Sequence, residues 1–208
     1  MFKLNFKQKL GSFALIAALL VPTAAQAETV SIVAGANTSA QTAISFSPVT
    51  FDLHADQLST ASNGITVEDS RGSGAGWSVS VSATDFVSDP LQDPTASGTY
   101  TVKIPASAVS VIVATPIVAL SGQAVDPTYG PLASNGTLSA APLKLMYAAP
   151  GYGMGVYTTG VSYSLAVPKT VTVASVSNGA SKYKENDMIG TVATTYTATL
   201  TFTLGSGV

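Results

Sequence analysis

Arg71-Gly72-Ser73-Gly74-Ala75-Gly76-Trp77-Ser78-Val79-Ser80-Val81-Ser82-Ala83 is a glycine-rich turn feeding an alternating segment that opens on the chain's single tryptophan. Far downstream, Tyr196-Thr197-Ala198-Thr199-Leu200-Thr201-Phe202-Thr203-Leu204 alternates in the same way. Apolar and hydroxyl side chains at period two mark strands with one buried and one wet face. On the first, Trp77, Val79, Val81 and Ala83 share a face. On the second, Tyr196, Ala198, Leu200, Phe202 and Leu204 do, and the threonines point away. Faces this uniformly apolar are core faces, so both aromatics are expected to point inward.

The same alternation recurs between turn signals. Strands are predicted at Val30–Val33, Ala43–Phe46, Val49–Leu53, Ile65–Asp69, Trp77–Ala83, Tyr100–Ile104, Val109–Ala114, Leu143–Ala148, Val161–Val167, Val171–Val176 and Tyr196–Leu204. Asn63-Gly64, Asn135-Gly136 and Asn178-Gly179 read as tight turns, and Asp56 to Ser62 is compatible with a short helical turn. Long connections are expected at Phe86–Thr99 and Leu120–Ala141. The expected fold is an all-β antiparallel sandwich of one domain, with a distorted barrel as the alternative.

Residues 1–27 read as a signal peptide. Lys3, Lys7 and Lys9 precede the apolar run Phe13 to Val21, and Ala25-Gln26-Ala27 is a small-x-small cleavage site. The apolar run falls short of the roughly 20 residues that span a bilayer, so no membrane span is expected after cleavage. The domain is then 28–208, where six basic residues face eleven acidic ones, a net charge near −5. That balance speaks against nucleic acid and against electrostatic capture by anionic polymers. With no cysteine, neither disulfides nor a lipidated cysteine are available to this domain. Serine and threonine supply 48 of residues 28–208. Their alternation with Val, Ile, Leu and aromatics fits a sheet with a polar outer face rather than a disordered stalk.

No catalytic constellation emerges. His54 is the only histidine, which rules out the usual zinc sites, and no nucleophile elbow accompanies it. Asp85, Asp89 and Asp93 are oxygen donors, but their spacing matches no calcium loop, and an extended, solvated segment is the plainer reading. Glu68 and Asp69 point to opposite faces of a strand, and Asp69 with Arg71 reads as a local turn or strand-end ion pair, worth little when exposed. No metal or cofactor is expected. Among the tyrosines, Tyr152 and Tyr157 flank glycines and are candidates for stacking on a glycan, whereas Tyr163 continues with Leu165 and Val167 as core.

The stretch Ile65 to Val79, with its Val67-Glu68-Asp69-Ser70-Arg71-Gly72-Ser73-Gly74-Ala75-Gly76-Trp77, resembles the first signature of the WxL domain. Gly151-Tyr152-Gly153-Met154-Gly155 and Leu165-Ala166-Val167-Pro168 are similar to that family's middle stretch. Gly190 and Tyr196 to Leu204 resemble its closing signature. The resemblance implies a secreted, Gram-positive-type surface protein attached non-covalently to the cell wall, with peptidoglycan or another wall polymer as ligand. It singles out Asp69, Arg71, Gly72, Gly76, Trp77, Val79, Tyr196, Phe202 and Leu204 as motif residues, structural or wall-binding. Phe202 stands where the family has tryptophan and Val79 where it has leucine. The competing functional reading is a structural subunit that assembles with copies of itself or with other surface proteins, using the segment Glu28 to Ala43 as an added strand.

Overall fold

The structure is a computed structural model that describes residues 44–50, 52 and 54–207. The leader, the strand expected at Val30–Val33 and the segment Glu28 to Ala43 lie outside the described residues. The first strands are β1 (Gln57–Asp69), β2 (Trp77–Ala83), β3 (Phe86–Ser88), β4 (Leu91–Gln92) and β5 (Thr99–Ile104). There follow β6 (Val109–Val113), β7 (Val118–Gly122), β8 (Leu132–Ala133), β9 (Gly136–Thr137) and β10 (Leu143–Ala148). The last are β11 (Gly155–Val167), β12 (Thr170–Ser177), β13 (Met188–Gly190), β14 (Tyr196–Thr197) and β15 (Leu200–Ser206). One 3₁₀ turn, Ala106–Ala108, precedes β6.

Among the described residues all pairings are antiparallel and no sheet closes on itself, so the fold is a β-sandwich. The first sheet runs β1-β11-β6-β9, with β7 sharing the far edge of β11. Its spine is the β1–β11 ladder, continuous from Gln57 opposite Val167 to Asp69 opposite Gly155. The second sheet runs β15-β2-β10-β8, and the third runs β13-β12-β5-β3-β14 with β4 on β5. The second and third sheets share a bent ladder. β2 runs on into β3 as β14 runs on into β15, with β15 paired to β2 and β14 to β3, and the bend is bridged where the Thr84 amide donates to the Thr199 carbonyl (3.1 Å).

Inward side chains from all three sheets form one cluster. Ile65, Val67, Tyr157, Val161 and Tyr163 of the first sheet share it with Trp77, Val79, Val81 and Leu145 of the second and Val102, Ile104 and Val173 of the third. The hydroxyl partners alternate outward, and β2 alternates buried and half-buried over its whole length. That is the physical content of period two: each added residue flips the side chain to the other face.

Several expectations are corrected. Asp56 to Ser62 is no helical turn, and Asn63-Gly64 is no tight turn: both lie along or at the start of β1, with Gly64 opposite Gly160. Only Asn178-Gly179 adopts positive φ, at 59° and 132°, while Asn135 and Gly136 lead into β9. Ile44–Phe46 is extended but unpaired as a strand, and Val49, Thr50 and Asp52 are not in one either. The Phe86–Thr99 connection contains β3 and β4, and Leu120–Ala141 contains β8 and β9, so neither is a bare loop. The closing signature is two strands, broken at Ala198–Thr199 where the ladder passes between sheets. At its end Leu204 is 36% exposed rather than core; among the described residues β15 is an edge strand that pairs only with β2.

Candidate functional site

β1 leaves the first sheet at Asp69, and the chain must cross to β2 in the second sheet within seven residues. Arg71 stabilises that crossing. Its Nε donates to Asp69 Oδ1 (3.0 Å), its Nη2 to Asp69 Oδ2 (3.0 Å) and also to the Gly76 carbonyl (2.8 Å). Nη1 donates to the Ser206 hydroxyl, so one guanidinium joins the ends of β1, the loop and β15. Asp69 sits on the Ile65–Val67 face, and its side chain has no exposed surface, while Arg71 retains 18%. The pair stands at a strand end, as expected, but its carboxylate is buried, so the small value of an exposed pair does not apply. Burial alone would raise the Asp69 carboxyl. The hydrogen bonds and charge of Arg71 outweigh it and hold the carboxyl below its ordinary value, while the same contact raises Arg71.

Gly76 has φ +73°, and a Cβ there would stand 2.6 Å from the Ala148 carbonyl oxygen. The loop consequently lies tight against the end of β10 and delivers Trp77 into the core with no exposed surface. The indole Nε1 donates to the Gly153 carbonyl at 2.8 Å, and its ring meets Tyr157 at 6.1 Å between centroids. The motif loop also bonds the next loop directly, the Gly151 amide donating to the Gly74 carbonyl (2.7 Å). The tryptophan thus positions the 149–155 loop from beneath.

A third loop is tied to the same place. Gln123 exchanges backbone and side-chain bonds with Met154, its amide donating to the Met154 carbonyl (2.8 Å) and its Oε1 accepting from the Met154 amide (3.0 Å). Gln123 Nε2 donates to the Gly151 carbonyl (3.2 Å), and the Tyr157 hydroxyl donates toward the Gln123 carbonyl (2.9 Å). Asp126 and Gly130 then close a small loop with reciprocal backbone bonds of 3.0 and 2.9 Å. Asp126 Oδ1 accepts from the amides of Thr128 and Tyr129, both at 2.8 Å. Tyr129 is carried at its tip, and the Ala149 amide donates to the Tyr129 carbonyl (2.9 Å). Outside, the rings of Tyr129 and Tyr152 stack with centroids 4.8 Å apart and planes 23° apart.

The motif residues divide by this geometry. Asp69, Gly76, Trp77 and Val79 are buried, Arg71 is nearly so, and Gly72 lies in open space on the turn. Tyr196 is half-buried with its hydroxyl donating to the Val192 carbonyl (3.1 Å), and Phe202 lies half-buried opposite Val81. The expectation that Tyr157 stacks on a glycan is corrected: its ring is wholly buried, and burial, then the charge of Asp69, pushes its phenol up. Tyr152 remains accessible in part.

The aspartates once weighed as cation ligands do different jobs. Asp85 accepts from the Ala106 amide (3.0 Å) and pairs with Lys103 (3.1 Å). Asp93 is buried, not solvated. Its oxygens accept from the Thr95 amide and hydroxyl (2.8 and 2.9 Å), the Ser181 hydroxyl (2.7 Å) and the Lys182 amide (2.8 Å). Burial works to raise this carboxyl, but these four bonds, led by Ser181, pull it far below the usual range. His54 stands in solvent against Asp52 (2.9 Å). Sequence reading missed Gln123, and it placed Asp126 and Tyr129 only as residues of the long Leu120–Ala141 connection, a length that is often functional or mobile but says nothing of what the loop tip meets.

Buried signatures brace three neighbouring surface loops, with two tyrosines stacked outside them, on a sandwich scaffold. The sequence model of the WxL domain, described as surface cell wall-binding, matches residues 28–207, and the chain belongs to that family. No curated protein and no solved structure matches it.

Proposed function

We propose that this protein is a non-catalytic surface protein held non-covalently on the bacterial cell wall, with peptidoglycan as its ligand after secretion and removal of residues 1–27. The family match carries the reading. The arrangement of the signatures supports it, because Asp69, Arg71, Gly76 and Trp77 act as the frame that fixes an exposed loop surface including Tyr152. The acidic chain makes shape and hydrogen bonding, rather than charge, the basis of attachment. Among the described residues no helix is long and apolar enough to cross a membrane. The test is co-sedimentation of the secreted chain with purified sacculi against a control β-sandwich; retention no better than the control refutes the reading.

A second reading, a self-assembling surface subunit, is favoured by β15. Among the described residues β15 pairs only with β2, and Leu200 to Ser206 carries none of the charges or prolines that usually protect an edge strand. Light scattering that stays monomeric across a hundredfold concentration range counts against it.

A further inference from the structure

We propose that Tyr129 is the residue that meets the wall, its outer ring face stacking on a sugar of the glycan strand while Tyr152 backs it from below. The inference rests on the wall-binding reading and locates the contact within it. Tyr129 is 50% exposed, whereas Tyr152 is half-buried with one face against Tyr129. In a stacked pair the solvent-facing ring is the one left to a ligand.

Two rings stacked on one another at the surface form a shared aromatic spot rather than a singly scattered apolar residue. Here the tip is also fixed. The two Asp126–Gly130 backbone bonds, the two Asp126 side-chain bonds and the Ala149–Tyr129 bond hold the loop in place before any ligand arrives. A preorganised ring gives up little conformational freedom on binding, so more of its contact energy appears as affinity. The surroundings select the ligand class. The Gln123 amide is committed to Gly151 and Met154, and the Arg71 guanidinium is committed to Asp69, Gly76 and Ser206, so neither is left to recruit a charged ligand. Among the described residues neither the Tyr129 nor the Tyr152 hydroxyl has a protein partner. A flat apolar face edged by two unengaged phenols matches a sugar ring, which offers an apolar face and hydroxyl edges, better than an acidic peptide.

The test uses sedimentation with purified sacculi and competition by chitohexaose or by free stem peptide, with thermal melts alongside. Tyr129→Ala is expected to weaken retention by about tenfold, the scale of one aromatic contact. Tyr129→Phe keeps the ring face but loses one phenol, and its retention is expected to fall between wild type and Tyr129→Ala. Melting is expected to stay unchanged in both, and chitohexaose is expected to compete. If wild type sediments and Tyr129→Ala sediments equally well, the Tyr129 contact is overturned and wall attachment stands. If wild type does not sediment, both fall. Competition by stem peptide alone overturns the glycan assignment. If Tyr129→Ala melts early, Tyr129→Phe against Tyr129→Leu decides: equal retention overturns the stacking contact.

Discussion

Replacing Trp77 by phenylalanine separates a scaffold tryptophan from a ligand-binding one. The indole is wholly buried and its Nε1–H is the partner of the Gly153 carbonyl. Phenylalanine keeps an aromatic body but has no donor. Stranding that carbonyl inside the loop costs about 1–3 kcal/mol. The missing atoms of the bicyclic ring leave a void of a few tens of Å³, about 1 kcal/mol at roughly 24 cal/mol per Å³ before any lost transfer energy. Together the loss is about 3 kcal/mol, which in a domain of about 150–250 residues lowers Tm by about 6–12 °C. Differential scanning calorimetry of Trp77→Phe against wild type measures it. A shift under about 2 °C, or loss of wall binding at unchanged Tm, refutes the reasoning, because either result frees the indole from the core.

Gly153→Ala strikes the same contact from the other side. The glycine has φ +75°, and an added Cβ would lie 2.7 Å from Trp77 Nε1, so a fall in stability of about 2 kcal/mol or more is expected in urea melts. Arg71→Ala leaves the Asp69 carboxylate buried without its partner and is expected to cost about 3 kcal/mol, partly restored by a second change, Asp69→Asn, in a double-mutant cycle. Because the folded Asp69 carboxyl titrates below its ordinary value of 3.8, its stabilisation is whole above that pH and is lost as pH falls further through the folded value; Asp69→Asn should flatten that part of the stability curve. Phe202→Trp, which restores the family's residue, faces a half-buried rim opposite Val81 and is expected to change stability by less than about 1.5 kcal/mol, read in the same melts.

Period two located β2 and β10 to the residue and put Trp77 inside, because a strand with one buried face cannot slip by one residue without exposing its core. The same rule already placed Asp69 on the Ile65–Val67 face. Reading Asp69 and Arg71 as a strand-end pair stopped short of following that alternation to a buried carboxylate. Asn63-Gly64 failed in the opposite direction. Its local preference for a turn gives way to a ladder that pairs β1 with β11 over its full length, which no local signal contains. Tyr129 was legible only as a residue of a long connection, and its contact was not, for a related reason. Its importance lies in meeting Tyr152 across a loop fixed by Gln123 and Asp126, and those contacts exist only once three segments distant in sequence converge.

The central claim, that the signature tryptophan is scaffold and the wall is met above it, has a direct probe because Trp77 is the only indole in the chain. Acrylamide quenching of its fluorescence, with and without soluble peptidoglycan fragments at saturation, reports whether solvent or ligand reaches the ring. The expected result is blue-shifted emission that is poorly quenched in the free protein and unchanged when the fragments bind. Readily quenched emission in the free protein that becomes protected on binding would contradict the account and return Trp77 to the ligand site.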